Sequence, residues 1–302
     1  MTQGHDNSAV VRDYYRAMGE GDFGHVVSLH DPDVVCWMSG TSLVSGRFQG
    51  RDALYAHMGE HVLGPLVTGT EPYVKGSRLA LVDGDYAVGL LHGGLPARDG
   101  GRYDQFYLQI FRFQNGLIRE IVELFDTVMV ETALMKNQLA QPRTPPAALF
   151  DLVDPGCRSA LDRDGLVDLA QRLGAALMAR DFTAARSCLA PGAEIRVIGS
   201  TPVSGQTHAG AVLDRVFDAG LAGFRIVAAG SGAAVALAMA DGGRAQQYGL
   251  LIEADGHHIG CLSVFLDTAA AEAQQFGNAI QPAPSRSIKP DFDVMAAFVA
   301  PA

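Results

Sequence analysis

The chain has 302 residues, a formal net charge of −10 and 48% hydrophobic residues. That length gives room for two domains of ordinary size, each able to bury its own core. The acidic balance, with no basic stripe to release counterions from phosphates, argues against nucleic acid as a partner. Cys36, Cys157, Cys188 and Cys261 show no CxxC spacing, so reduced thiols in a cytoplasmic protein are expected. The opening MTQGHDNSAV has neither a basic nor an apolar stretch of the kind a secretory signal needs. No apolar run reaches the ~18 residues of a membrane span, so no membrane partner is expected.

In chain order, residues 8–20 carry Val10, Val11, Tyr14, Tyr15 and Met18 at helical spacing behind a Ser8 cap. Gly19 and Gly21 break that helix, and Phe23–Leu29 reads as a second, short one. Asp33–Met38 reads as a strand, residues 39–50 as a Gly/Ser-rich loop, and Arg51–Leu63 as a helix. Three strand-like runs follow at Arg78–Val82, Tyr86–Leu91 and Tyr103–Phe113. Asn115-Gly116 is a hairpin turn leading into a last strand at Ile118–Thr127. Helices followed by an antiparallel meander make an α+β domain.

The same order then returns. GTSLVSG at 40–46 is echoed by GSTPVSG at 199–205, and Asp22-Phe23 by Asp181-Phe182, both 159 residues on. Phe125-Asp126-Thr127 is echoed by Leu266-Asp267-Thr268, now 141 residues on. Three echoes in one order indicate a tandem duplication of a whole fold. The second copy is expected to hold helices at 165–180 and 211–219 and strands at 193–198, 224–229, 233–239, 244–254 and 258–268. It has lost residues after Gly210 and near the counterpart of 92–101. The division expected is a first domain over 1–138, a Pro-rich linker over 139–163, a degenerate second domain over 164–280 and a tail over 281–302. The late apolar residues of that tail, Phe292, Met295 and Phe298, leave open whether it frays or docks.

With GDF, LVSGRFQG, FRFQNGLI and ELFDT in this order, each half resembles the nuclear transport factor 2-like superfamily, in its ketosteroid isomerase-like and SnoaL-like branch. The resemblance covers about 8–135 and 164–272. It implies two cone-shaped (cystatin-like) domains, each a curved antiparallel sheet whose helices close over an apolar cavity. It also implies pairing through the outer sheet faces, here as an intramolecular pseudo-dimer, with a further homodimer left open. Such folds host isomerases, cyclases, dehydratases and non-catalytic binding modules, so function rests on the site. The isomerase's base would fall at about Trp37–Met38, where no carboxylate stands, and its protonated Asp near Gln109. The cyclase-like branch instead carries its base on the last strand, where Asp126 lies.

Asp126 is thus the candidate general base, sharing a strand face with Val122 and Leu124; the alternative is a cap on the helix that follows. Its recurrence as Asp267 favours the cap. His92 either faces the cavity as a proton shuttle or ends its strand in solvent. Tyr103, Gln105, Tyr107 and Gln109 share one strand face, as a polar cavity wall or a solvated face. Tyr14 is either a cavity hydrogen-bond donor or a core aromatic, and Trp37 a pocket wall or core residue. His57 and His61 stand in an HxxEH pattern, better read as pocket-rim residues than as a zinc pair. The second copy keeps Arg196, Gln246 and Asp267 as a minor alternative site. No GxGxxG, P-loop or complete metal set appears, so no cofactor or metal is expected. The reading is a cofactor-free lyase or isomerase moving a proton on a small, apolar carbonyl or hydroxylated compound. Asp126, His92 and Tyr14 would be its catalytic groups. The alternative is a non-catalytic binding or scaffold protein.

Overall fold

Each half of the chain builds a helix pair, a short parallel-docked strand and a four-strand meander. The computed structural model describes residues 6–143, 152, 154–208, 210–241, 246–281 and 294–298. The first half runs α1 (Asn7–Glu20), α2 (Phe23–Ser28), β1 (His30–Met38), β2 (Gly46–Gln49) and α3 (Arg51–Met58), which continues as a π-helical turn over Gly59–Leu63. It goes on with β3 (Val74–Asp83), β4 (Tyr86–Pro96), β5 (Arg102–Gln114), β6 (Leu117–Phe125) and α4 (Thr127–Met129), which continues as a second π-helical turn over Val130–Leu134. After β7 (Gln138–Leu139), the second half runs α5 (Arg163–Met178), α6 (Phe182–Ser187), β8 (Leu189–Ile198), β9 (Gly205–Thr207) and α7 (Val212–Val216). Then come β10 (Leu221–Ala229), β11 (Ala233–Ala240), β12 (Gln247–Asp255), β13 (His258–Leu266), α8 (Thr268–Gln274) and β14 (Ile280–Gln281).

The two sheets have one topology. Strand order is β2-β1-β6-β5-β4-β3 in the first and β9-β8-β13-β12-β11-β10 in the second, with β1 parallel to β6 and β8 parallel to β13. The echoed Asp22 and Asp181 cap α2 and α6, accepting from the His25 and Ala184 amides. Asn115 and Gly116 turn the β5–β6 hairpin with φ of 55° and 78°, the left-handed pair that a two-residue turn demands. No described helix is long and apolar enough to cross a membrane.

Period-2 alternation sends one side of each meander inward and the other outward. Inward residues of the first sheet, among them Leu91, Tyr107, Phe111 and Ile121, join Val11, Tyr14 and Tyr15 of α1 in the first cone. Outward residues pack against the outward face of the second sheet. Trp37, Leu90, Phe106, Leu108, Val122 and Leu124 form one buried cluster with Ile198, Val235, Leu237, Leu251 and Phe265. A Cβ on Gly249 would lie 2.8 Å from Leu108 and 2.9 Å from Leu124, so backbone meets side chain across this seam. At its edge Arg78 makes two bonds to Glu253, of 2.7 and 3.0 Å.

The echoed motifs converge on the pseudo-twofold axis. Asp126 caps α4 by accepting from the Val128 and Met129 amides, and also accepts from Ser200 Oγ (2.7 Å) and Thr268 Oγ1 of the other copy. Reciprocally, Asp267 caps α8 and accepts from Thr127 Oγ1 (2.5 Å) and Thr41 Oγ1 (3.5 Å). Gly40 and Gly199 hold φ of 104° and 121° beside this lock, and a Cβ on either would lie 2.4 Å from the methyl of Thr127 or Thr268. The repeated phrases therefore mark the joint between the copies.

The helix expected after Asp126 is only the short α4 with its π-helical turn, and Leu139 pairs instead with Ile280 of the second half. Much of the expected linker (144–151 and 153) and tail (282–293 and 299–302, with Phe292), and the start of the strand expected at 244–254, lie outside the described residues. Where described, the tail bridges both copies. Val294 and Ala297 are buried in the seam, Arg225 donates to the Met295 and Ala297 carbonyls, and the Phe298 amide donates to Glu120.

Candidate functional site

The first cone encloses a cavity of about 130 Å³. Its walls are apolar: Met18, Leu54, Met58, Val62, Leu91 and Ile121 supply most of them. Into this lining β6 delivers one carboxylate, Glu123, whose inward position follows from parity with Ile121 and Phe125. Glu123 is 8% exposed and stands directly across from Gln109 of β5 and beside Met38 of β1. Gln109 Nε2 donates to Glu123 Oε1 at 2.6 Å. Burial without a facing cation raises the Glu123 carboxyl above its ordinary range, against the smaller pull of the Gln109 bond. Gln109 Oε1 is buried with no hydrogen-bond partner. Turned over, the same amide would accept from the protonated acid, so Gln109 can serve both states of the group.

Phenols surround this carboxyl. Tyr14 on α1 lines the cavity at 5% exposure; burial, then the charge of Glu123, pushes its phenol well up, so it is a neutral O–H donor. Tyr107 from β5 bonds to Tyr73 Oη at 2.8 Å and Tyr103 Oη at 2.9 Å, a chain of hydroxyls at one side. His30, at the start of β1, lies within 3.0 Å of both the Val26 carbonyl and Tyr55 Oη through Nδ1. A carbonyl can only accept, so Nδ1 carries the proton and Nε2 is bare. Burial lowers His30 to about 4, which keeps the ring neutral. Cys36 completes the polar lining; burial raises its thiol.

Of the residues singled out from sequence, Tyr14, Tyr107 and Gln109 line this cavity and Tyr103 stands behind Tyr107. The others lie elsewhere. Asp126 has outward parity and is consumed by the cap and the two hydroxyls of the second copy, so the structure corrects its reading as the base. His92 shares that outward parity and stacks on Phe106 at 4.3 Å, which removes it from the cavity. Trp37 also faces outward, donating to Glu120 at 2.7 Å within the seam; its inward neighbours Cys36 and Met38 line the cone. Gln105 bonds the Asp126 amide and carbonyl at 3.0 and 2.8 Å, a backbone clamp for the end of β6. His57 stacks on Phe48 at 4.2 Å and against His61 at 4.6 Å, outside the lining. Among the described residues no group of three His, Cys, Asp or Glu could hold a metal.

The second cone lacks this chemistry. By register, Glu123 corresponds to Val264 and its partner Gln109 to Leu250. Cys36 and Met38 correspond to Ile195 and Val197, and His30 to Leu189. Those five aliphatic residues pack against Leu173, the counterpart of Tyr14, in a single core. Arg196 faces outward and pairs with Glu194 at 2.7 Å, Asp267 is in the lock, and Gln246 is fully buried with no side-chain hydrogen bond. They form no second site.

Comparison with known proteins places the first half. Residues 11–121 match the model of the SnoaL-like domain. Solved structures similar to this chain include Bal32a from a soil-derived mobile gene cassette, 27% identical over 39% of this chain and 88% of that one, with a TM-score of 0.34. A putative isomerase from Bacillus subtilis is 16% identical over 42% of this chain and 90% of its own (TM-score 0.35). TerC, co-crystallised with polyporic acid, is 17% identical over 43% and 98% (TM-score 0.33). No curated protein matches the sequence. Residues 11–121 thus form a SnoaL-like domain.

Proposed function

We propose that the first cone is a cofactor-independent proton-transfer site for a small, apolar carbonyl or hydroxylated compound, with Glu123 as its acid and base. The carrying observation is a lone carboxyl, buried in an apolar cavity, with a raised pKa and one amide partner. A carboxyl poised nearer neutrality both removes a proton beside a carbonyl and returns it. Tyr14 then donates to the oxygen on which charge develops, in a site where water competes poorly. Gln109 holds Glu123 in line in either protonation state. Dehydration, isomerisation and aldol cyclisation all use this pair of roles. The second domain supports the first by burying its outer sheet face.

The test is proton exchange. In D₂O, the full chain should catalyse deuterium incorporation beside the carbonyl of small ketones, followed by NMR. Glu123→Gln should lower the rate about 10²–10⁴-fold, while Asp126→Asn and His92→Ala should keep it in any fraction that remains folded. Equal exchange by Glu123→Gln and wild type would overturn the assignment. The second reading, a ligand cup without catalysis, draws on the Tyr73–Tyr107–Tyr103 chain, whose hydroxyls already satisfy one another. Ligand binding with no exchange would favour it.

A further inference from the structure

We infer that this cavity selects an uncharged compound whose buried end is a single ring carrying one oxygen, and that it rejects carboxylates and fused two-ring compounds. The inference rests on the reading of the cavity as the working site and adds to it the class of ligand.

Charge comes first. His30 is the one basic side chain in the lining, and burial holds it neutral at any pH above about 4. An anionic ligand would therefore lose its hydration with no cation to face, beside the carboxyl of Glu123. Polarity comes second. Among the described residues, Tyr14 Oη and Glu123 Oε2 have no hydrogen-bond partner, yet neither is sealed off among the fully buried unpartnered atoms. Both side chains are more than nine-tenths buried and both line the cavity. After burial, the charge of Glu123 is the largest influence on the Tyr14 phenol, and both groups line the same cavity. They offer anchors for one polar substituent: the Gln109 amide, His30 Nδ1 and the Tyr55, Tyr73 and Tyr107 hydroxyls of the lining already bond within the protein, and the other lining residues are aliphatic, sulfur-bearing or aromatic.

Size comes third. A dry protein cavity of about 150 Å³ takes up one benzene ring, and this one measures about 130 Å³. Phe23 lines it while 37% exposed, which marks the mouth through which a substituent on the ring could leave. A second fused ring would have to force Leu91, Ile121 and Met38 apart, and packed walls resist this.

Isothermal titration calorimetry on the full chain decides the matter with acetophenone, benzoate, benzylamine and 2-acetonaphthone. Acetophenone should bind, with benzoate weaker by about 100-fold and 2-acetonaphthone weaker by about 10-fold. Glu123→Gln should narrow the gap between acetophenone and benzoate by recovering at least a part of the benzoate affinity. Benzoate, benzylamine or 2-acetonaphthone binding as tightly as acetophenone would overturn the inference, as would no binding of acetophenone. Deuterium exchange at the acetophenone methyl separates the two claims. Selective binding without exchange leaves the selection standing and sinks the proton-transfer reading.

Discussion

Replacing Glu123 with methionine should stabilise the protein, and the gain should grow with pH. Methionine has similar length and reach, so it fills the same space between Gln109 and Met38 without a cavity. The wild-type side chain keeps a carboxyl at 8% exposure, with one hydrogen bond and no facing cation. Burying such a group costs about 1–3 kcal/mol on mutational scales. Part of that returns as a debit, because Gln109 Nε2 loses its acceptor, which leaves a net gain of about 1–2 kcal/mol. The pH dependence follows from linkage. The folded-state carboxyl is raised above its unfolded value of about 4.5, so the unfolded chain gives up its proton first. Wild-type stability from this group is therefore complete below that unfolded value and is lost as pH rises through the folded one. The neighbours that feel Glu123, namely Tyr14, Tyr15, Tyr55, Tyr73, Tyr103 and Cys36, are all pushed upward by burial and stay neutral between pH 5 and 8. Asp126 is raised too, but it is common to both proteins and cancels in their difference. Urea denaturation at pH 5 and pH 8 should give a larger advantage for Glu123→Met at pH 8, with unchanged m. An advantage that shrinks with pH would mean that the carboxylate is paired in the folded protein, and would refute the reasoning.

Three further outcomes follow from the joint between the copies. Asp126→Ala should cost about 2–3 kcal/mol in urea denaturation, because Ser200, Thr268 and the first amides of α4 lose one shared acceptor; ligand binding to the folded fraction should be unchanged. Gly40→Ala and Gly199→Ala should each cost at least about 2 kcal/mol by the same assay, since a Cβ at either site meets a threonine methyl at 2.4 Å with φ in the left-handed region. Removing residues 294–302 should shift the emission of Trp37, the sole tryptophan, to longer wavelength. Phe298 and Trp37 bond the same Glu120 carboxylate, and the departing Val294 and Ala297 open the cluster that holds the indole. An unmoved spectrum would mean that the tail does not cover this end of the seam.

The duplication and the α+β order were legible in the chain because their signals are local: Asp22-Phe23 returning as Asp181-Phe182, Asn115-Gly116 as a turn, and alternation along β5 and β6. The joint was less legible, although its residues were the ones that repeated. GTSLVSG and GSTPVSG read only as Gly/Ser-rich loops until both are seen to serve the reciprocal bonds of Asp126 and Asp267. Nothing local separates a cap that also crosses a domain interface from a carboxylate that faces a substrate. The π-helical turns after Met58 and Met129 depend on how the last turns of α3 and α4 meet the cone, and left no mark in residue spacing.

Glu123 was missed by a parity that a single strand cannot settle. In a sheet with one wet face, polar residues mark the outside, and a slip of one residue shows at once. Here the outer face is covered by the second copy, so both faces of β1 and β6 are apolar. Cys36-Trp37-Met38 and Ile121-Val122-Glu123-Leu124 then read equally well in either phase. Choosing the phase of Trp37 and Asp126 put those two residues at the seam; the opposite phase puts Met38 and Glu123 side by side in the cone. The duplication itself held the means to choose. What both copies keep, Asp126 with Asp267 and Thr127 with Thr268, is what the shared joint requires. What only one copy keeps, Glu123 against Val264 and Gln109 against Leu250, is not needed to fold a cone. The second cone packs shut with aliphatic side chains at those places, so a buried carboxyl and its amide in the first are a cost to stability that folding does not explain. That asymmetry is the physical ground for proposing Glu123 as the acid and base of the first cone.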